Sequence, residues 1–396
     1  MIGERIRQKR IMNGLSLQNL ADELVKKRRT LTRAMLSKYE LGQATPNALV
    51  LKDLAEVLGV KTDYFFVEPN VSIQWKAFRK KASVSQTKQE RIQILAEQRV
   101  EQFVAIETAC GIESVASDIP EYRNISDVSQ AETIADELRM KWGLDAFAIK
   151  SLTELLENKG IILVSLDSDI DGVDGLVGSL QNTRKIIVYV QEKSVDRTRL
   201  TLAHELGHLL LGNDDPKLNE KLASRFAGAF LAPAKLLRQD MGSRRTLFSI
   251  PELCLLKEKY GISIQALTYR AKDIGILSES AYKAMFIAFR SKGISVVEPG
   301  CWAYPEEPRL TKQYLFRAVA EGRIPEAKAL ELYPEYLKEK TEMESQAQST
   351  LYKFLSLPSE DRNKYLMAAA ESAAGLYDHG GKLADFDIID DVEDYE

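Results

Sequence analysis

Two of the three histidines in this chain stand four residues apart, in His204-Glu205-Leu206-Gly207-His208. On an α-helix, positions i and i+4 share a face, so both imidazoles can turn toward one metal ion. Glu205 follows the first histidine and is placed to reach a water on that ion. Two nitrogen ligands, a carboxylate base and a water acidified by the metal are the working parts of a zinc hydrolase. Such a site needs a third protein ligand. Glu220, twelve residues beyond His208, opens the run Glu220-Lys221-Leu222-Ala223-Ser224-Arg225-Phe226-Ala227 and offers one from a following helix. Asp214 and Asp215 are the nearest rival carboxylates. Taken alone, Glu220 reads as a solvated helix residue, and two histidines on a helix also suit a purely structural metal site. The third histidine, His379, stands before Gly380-Gly381 and reads as a surface residue.

The elements that must position these residues are legible as patterns. The periodicity predicts a motif helix over 197–211, stopped by Gly212-Asn213-Asp214-Asp215-Pro216, and an apolar-faced helix over 220–230. Upstream, helices are predicted over 129–142 and 148–158. Short buried-strand patterns cover 161–164 and 185–190. Asp171-Gly172 and Asp174-Gly175 read as turns. Helical patterns continue from 250 to 290 and as a pair over 308–340 split by Gly322 and Pro325. A last helix over 360–377 precedes an acidic, aromatic tail, Asp385-Phe386 to Tyr395-Glu396.

The first 68 residues read as a string of short helices, over 2–12, 17–24, a third capped by Thr30 or Thr32 and running through Tyr39, and 48–58. Ser16 is a good N-cap, and Gly42 is placed to end the third helix. Residues 1–46 carry ten Lys/Arg against four Asp/Glu, so this head is +6 within a chain of net charge −4, and the remainder is −10. A basic head on an acidic body points to a polyanion partner, against the plainer reading of a solvated surface. Residues 67–130 read as a basic linker, with Lys76, Arg79, Lys80 and Lys81, followed by a polar helix over 87–109.

Composition bounds the answer. With 396 residues, 45% hydrophobic and 28% charged, two or three ordinary globular domains are expected. Met1-Ile2-Gly3-Glu4-Arg5 opens no apolar segment of the secretory type, and no apolar run approaches membrane-spanning length. Cys110, Cys254 and Cys301 are far apart and form no CxxC pair, which fits a reducing cytoplasm. No membrane partner is expected.

Two stretches resemble known families. Gly14-Leu15-Ser16, Leu20-Ala21, Leu36-Ser37-Lys38-Tyr39-Glu40-Leu41-Gly42 and Thr45-Pro46 resemble the helix-turn-helix of Cro and phage-repressor (XRE) regulators over residues 1–68. The resemblance implies a third helix in the major groove of operator DNA, with Arg33, Ala34 and Lys38 at its reading positions. The basic turn Lys26-Lys27-Arg28-Arg29 would contact phosphates. The turn between the second and third helices is about five residues longer than the compact form of the motif, and Leu17 stands where a polar residue is common. A helical docking domain for protein is the plainer alternative.

The second stretch runs from Arg199 through His208 and then Glu220-x-x-Ala223-x-x-Phe226-Ala227-x-x-x-Leu231-x-Pro233. With Asp174-Gly175-Leu176 and the strand over 185–190, it is similar to the ImmA/IrrE metallopeptidases over roughly 130–275. That resemblance implies Zn2+ held by His204, His208 and Glu220, with Glu205 as the base that takes a proton from the zinc water and passes it to the leaving amine. Residues 185–190 are expected as an edge strand that pairs with an extended substrate.

The expected fold is mainly α, with a small α+β zincin-like domain and an N-terminal all-α helix-turn-helix domain. The expected plan is 1–68 helix-turn-helix; 69–130 helical linker; 131–275 zincin-like metallopeptidase; 276–345 helical C-terminal region; 346–396 helix plus acidic tail. The expected function is a cytoplasmic, homodimeric, sequence-specific transcriptional regulator on double-stranded operator DNA, with a zinc endopeptidase that cleaves a repressor protein. The alternative is an antitoxin-type autorepressor with a structural or sensory metal domain. Its C-terminal tail, where Leu355-x-Leu357-Pro358-x-x-x-Arg362 and Ala368-Ala369-Ala370 also resemble short antitoxins, would bind a toxin.

Overall fold

The structure is a computed structural model that describes residues 2–27, 29–67, 71–80, 86–113, 115–117, 119–144, 147–166, 173–181, 183–192 and 194–377. The acidic tail, His379 and Arg28 lie outside the described residues. The chain divides into two compact units, residues 1–323 and 324–396.

The first unit begins with four helices, α1 (Ile2–Met12), α2 (Leu17–Lys26), α3 (Arg33–Glu40) and α4 (Ala48–Leu58), and a 3-10 turn, Thr62–Phe66. Their starts are set by side-chain oxygens that accept from otherwise orphaned N–H groups. Ser16 accepts from Asn19, Thr32 from Met35 and Asn47 from Val50. Of the two candidate threonines, Thr32 is therefore the cap. Gly59, in the left-handed conformation, closes α4. Ile6, Leu20, Leu24, Leu36, Leu54 and Phe65 form a core of this head's own.

Then follow β1 (Ile73–Lys80), α5 (Gln86–Ala109), β2 (Tyr122–Arg123), α6 (Gln130–Lys141), α7 (Leu152–Asn158), β3 (Ile162–Leu166), β4 (Val173–Leu180), β5 (Arg184–Val190), α8 (Val195–Leu210), β6 (Leu211–Gly212) and α9 (Pro216–Leu231). After them come α10 (Ala234–Met241), α11 (Ile250–Tyr260), α12 (Ile264–Asp273), α13 (Glu279–Ser291) and α14 (Leu310–Ala320). The second unit holds α15 (Glu326–Leu332), α16 (Tyr336–Ser356) and α17 (Ser359–Tyr377). Within that unit Lys340 bridges to Glu326 at 2.7 Å, and Phe354 of α16 packs against Tyr365 of α17.

A four-stranded mixed sheet, in the order β1-β4-β5-β3, lies at the centre of the first unit. β4 runs antiparallel to both neighbours, and β3 pairs parallel with β5, Leu163 opposite Ile187. Side chains alternate along a strand, and here both faces are covered. Ile186, Val188 and Val190 of β5 join Ile92, Ala96, Val100 and Phe103 of α5 on one face. Ile187 and Tyr189 join Leu202, Leu206, Phe226 and Phe230 of α8 and α9 on the other.

The structure corrects four expectations. Residues 185–190 are not an edge strand: β5 is hydrogen-bonded on both sides, and its near-continuous apolar run is what burial on two faces requires. The sheet edges are β1 and β3. Residues 69–130, expected as a helical linker, hold β1 as well as the long helix, and both are built into the sheet layer. Trp75 of β1 donates to Glu97 of α5 at 3.3 Å. The alternation that marks β1 is obscured by lysines and arginine, which are tolerated on an edge strand. Asp174-Gly175, read as a turn, opens β4. The helix expected over 148–158 is confined to Leu152–Asn158, where Ser151 accepts from Glu154.

One buried ion pair ties the helices of the body together. Arg199 of α8 and Glu306 of the loop before α14 are paired, with side chains 0% and 1% exposed. Arg199 also donates to the carbonyl oxygens of Ile149 at 2.7 Å and Gly261 at 3.0 Å, and its guanidinium lies 4.4 Å from the Trp302 ring centroid. Glu306 accepts from the Leu152 and Thr153 N–H groups at 2.9 and 2.8 Å, satisfying the start of α7. Removing one partner leaves the other charge buried without compensation, so Glu306→Ala is expected to cost about 3–5 kcal/mol of stability. Denaturant unfolding checks this; a loss within experimental error of zero would show that water reaches Arg199.

Candidate metal centre and helix-turn-helix head

The metal-ligand candidates come from two helices in close contact. α8 enters from the sheet side, with His204, Glu205 and His208 all buried in its last three turns. α9 starts at Asp215, whose carboxylate accepts from the Lys217 N–H, with Pro216 in the first turn, where its missing N–H costs nothing. Asp215 is thus occupied as a cap, while Glu220 sits one turn into α9.

The two helices approach closely because Gly207 faces Ala223. A Cβ on Gly207 would lie 2.9 Å from the Ala223 Cα and 3.2 Å from its carbonyl oxygen. This contact brings Glu220, one turn before Ala223, up to the histidine face. His204 Nε2 lies 3.5 Å from one Glu220 carboxylate oxygen and His208 Nε2 lies 3.3 Å from the other. The three donor groups all fall within 4.8 Å of one another. Bonds of about 2.0–2.1 Å to a tetrahedral ion place its ligand atoms about 3.3–3.4 Å apart, so the separations and the two-nitrogen, one-carboxylate donor set fit zinc. The histidine side chains are 6% and 8% exposed and Glu220 is 43% exposed, so the centre is walled on the α8 side and open beside Glu220. The imidazoles of His204 and His208 beside it hold the Glu220 carboxyl well below the usual carboxylate range, the ionised form a cation requires.

Neighbouring residues orient this set. Ser224, one turn after Glu220, has its Oγ 3.4 Å from His204 Nδ1, the position from which a partner sets a ligand's tautomer. Lys76 of β1 donates to the Leu209 carbonyl at 2.9 Å, a cation at the C-terminal end of the motif helix, where the helix dipole favours it. Burial lowers the pKa of that lysine. Glu205 points into β4. A Cβ on Gly175 would meet its carboxyl carbon at 2.4 Å, so only glycine there leaves Glu205 its present place.

Sequence reasoning missed the roles of Gly175, Gly207, Lys76 and Ser224. Gly175 carried a visible signal, a glycine opening a strand, which often marks close approach of another group. The Gly207 signal was its place inside a helix. Nothing in the sequence marked Lys76 or Ser224. Asp214, the other rival ligand, lies outside the group that converges.

In the head, Arg33, Ala34 and Lys38 lie on the exposed side of α3, whose Leu36 and Tyr39 turn inward. The basic turn is less open. Lys26 pairs with Glu23 at 2.5 Å, Lys27 with Glu56 at 3.2 Å and Arg29 with Asp53 at 2.5 Å. Exposed pairs of this kind are worth roughly 0–1 kcal/mol each and yield to a stronger anion.

Two family models match the chain. A helix-turn-helix model matches residues 6–65, and a peptidase model described as the IrrE N-terminal-like domain matches residues 156–272. The chain is also 41% identical over 64 residues to the SPbeta prophage-derived uncharacterized HTH-type transcriptional regulator YonR of Bacillus subtilis (strain 168). That match takes in 16% of this chain and 55% of the relative, so the chain spans about half the length of the curated protein it resembles. In these two segments the chain carries a helix-turn-helix domain joined to an IrrE N-terminal-like peptidase domain.

Proposed function

We propose that the protein is a DNA-binding transcriptional regulator whose second domain is a zinc-dependent endopeptidase acting on a repressor protein. The observation that carries the enzymatic half is the convergence of His204, His208 and Glu220 beside the buried carboxylate of Glu205. The domain plan that goes with it is a head of residues 1–68 and a zincin-like body centred on 131–275. Because β1 and α5 build into the sheet, we assign them to that body too.

Bound zinc supplies Lewis acidity at the substrate carbonyl and lowers the pKa of water to near neutrality. The residues do the rest. His204, His208 and Glu220 would hold the ion, and Ser224 would fix the His204 ring. Glu205 accepts the proton of the attacking water and delivers it to the leaving nitrogen. Its place against Gly175 keeps the carboxylate in a dry wall of the site, where its interactions are strong. The open side, next to Glu220, admits an extended chain.

The head reads an operator in this proposal. α3 enters the major groove, Arg33 and Lys38 address bases, Ala34 faces a thymine methyl, and Lys26, Lys27, Arg28 and Arg29 hold phosphates. Two copies on a two-fold site supply the interface that one small module lacks. No described helix is long and apolar enough to cross a membrane.

Three outcomes are expected. Elemental analysis should find about one zinc per chain, strongly reduced in Glu220→Ala; absence of zinc from protein purified without chelator would reduce the centre to a scaffold. Glu205→Gln should keep its zinc and lose cleavage by roughly 10²–10⁴-fold. If cells carrying that variant regulate normally, proteolysis is not the route of control. Arg33→Ala should lose about 1–3 kcal/mol of discrimination at one operator base pair. Equal affinity of the wild type for every duplex in a binding assay would remove the repressor reading.

A further inference from the structure

An extended polypeptide gains its backbone hydrogen bonds from a strand edge, so the edge nearest the candidate base decides where a substrate could lie. β4 is that strand, because Glu205 lies against Gly175. One side of β4 is taken by β5, with Gly175 opposite Tyr189. The other side is taken by β1, antiparallel, with Phe78 opposite Leu176 and Lys80 opposite Val173. The backbone at position 79 therefore passes beside positions 174 and 175, level with Glu205.

The motif helix gives the same placement. Glu205 touches β4, and the carbonyl of Leu209, four residues on, accepts from Lys76 of β1 at 2.9 Å. These two positions share one face of α8, and His204 and His208 share another about 100° further round. A water held between the Glu205 carboxylate and an ion on the histidine face lies at the border of the two. β1 follows the Glu205–Leu209 face over the one turn that also carries His208. The centre is open beside Glu220, but the strand edge next to Glu205 is covered.

β1 is held in a way that permits exchange. β4 and β5 pair without interruption from Gly175 to Leu180, whereas the register between β1 and β4 shifts twice, between Trp75 and Ala77 and between Phe78 and Lys80. Each shift breaks the ladder locally. Trp75 donates to Glu97 of α5 at 3.3 Å and, with Ile73, packs on the apolar layer between the sheet and α5. The close fit needs Gly178, where a Cβ would lie 2.9 Å from the Gln74 carbonyl oxygen and 2.9 Å from the Trp75 ring. A strand tethered in the same chain competes for this edge at an effective concentration on the order of millimolar.

We propose that β1 stands in the place of substrate: it closes the peptidase by occupying the edge of β4, and the polypeptide to be cut must displace it. The edge fits an extended segment of the same pattern, with apolar side chains two residues apart that face α5 as Ile73 and Trp75 do. The proposal rests on the reading of the body as a peptidase.

The test uses the full chain, purified without chelator, as wild type, Trp75→Ala and Ile73→Ser. Both variants loosen β1 and leave β4 intact, and either one suffices if the other does not fold. The probe is a labelled synthetic peptide copying residues 71–80. Hydrogen exchange of residues 73–80 should quicken in both variants while zinc content stays the same. Both should bind the peptide roughly ten-fold more tightly than wild type, because a larger fraction of molecules has a free edge. Adding Gly178→Ala should abolish that binding, since any chain paired there meets the new Cβ. Cleavage of an unfolded protein, counted as the part lost in Glu205→Gln, should rise in the same variants and fall when the peptide is added. Quickened exchange without peptide binding would overturn the proposal. So would full-affinity binding of the peptide to wild type with β1 still protected, which makes β1 a fixed wall of the site. Exchange as slow as wild type in both variants would show a strand too firmly held for any substrate to displace, and sinks the idea as well. Peptide binding in the expected order with no faster cleavage would show that occupancy does not inhibit. If no form of the protein has Glu205-dependent cleavage, it is the parent peptidase reading that fails, whatever the peptide does.

Discussion

The close approach of α8 and α9 is the constraint on which the site depends. Interiors are packed at crystal density, so the distance between two helices is set by the smallest side chains at their contact. Gly207 and Ala223 are those side chains, and the helix axes come together where they meet. Above that contact the histidine face of one helix receives the carboxylate of the other. Below it, Phe226 and Phe230 stack in the body of the core, and Trp142 of α6 meets the Phe230 edge. A larger residue at either small position would push Glu220 away from both Nε2 atoms while leaving the composition of the site intact.

The same helix is fixed at its other end by charge. Five residues before His204, Arg199 is surrounded by carbonyl oxygens, the Trp302 ring and Glu306. The loop between α13 and α14 repeats the device. Glu298 accepts from the Ile264 and Gln265 N–H groups at the start of α12 and pairs with Lys257, which also reaches Asp196 of α8. A stretch without regular structure thus carries two acids that each satisfy a helix start and a buried cation. Buried charges need such complete partners, because desolvation is offset only by full hydrogen bonding. The loop is a strap across α7, α8, α11 and α12, and it holds the motif helix from the end opposite the candidate metal site.

α5 is the shared wall of the molecule. Ile92, Ala96, Val100 and Phe103 turn to the sheet, while Glu101 and Ile94 engage α1. β1, immediately before it, pairs with β4 and reaches the end of α8 through Lys76. A head joined to a body by a free linker would move independently of it. Here one helix and one strand contact the head, the sheet that carries Gly175 and the motif helix. Mechanical continuity between the head and the motif helix is therefore built from packed elements.

Much of this was written into local sequence. The histidine pair and its glutamate follow from helix periodicity, and the cap at Ser16 follows from a short polar side chain beside a helical run. The outward face of α3 was implied by the resemblance to XRE regulators, and Leu36 and Tyr39 turn inward opposite it. Each depends on residues within a turn or two of one another, so the chain itself encodes them. The strand order could not be read, because a buried apolar run such as 185–190 has the same composition at the edge of a sheet as at its centre, and only pairing partners distinguish them. β1 was hidden for the converse reason: its charged residues suit an edge but do not announce one. The choice of Glu220 over Asp214 and Asp215, the room that Gly175 leaves for Glu205, and the anchoring of Arg199 by a glutamate 107 residues away are all contacts between segments remote in sequence. The sequence by itself determined which groups could do chemistry and on which helix faces they lie. The tertiary structure decided which of them meet, because that depends on the distances between elements, and those are set by packing across the whole core.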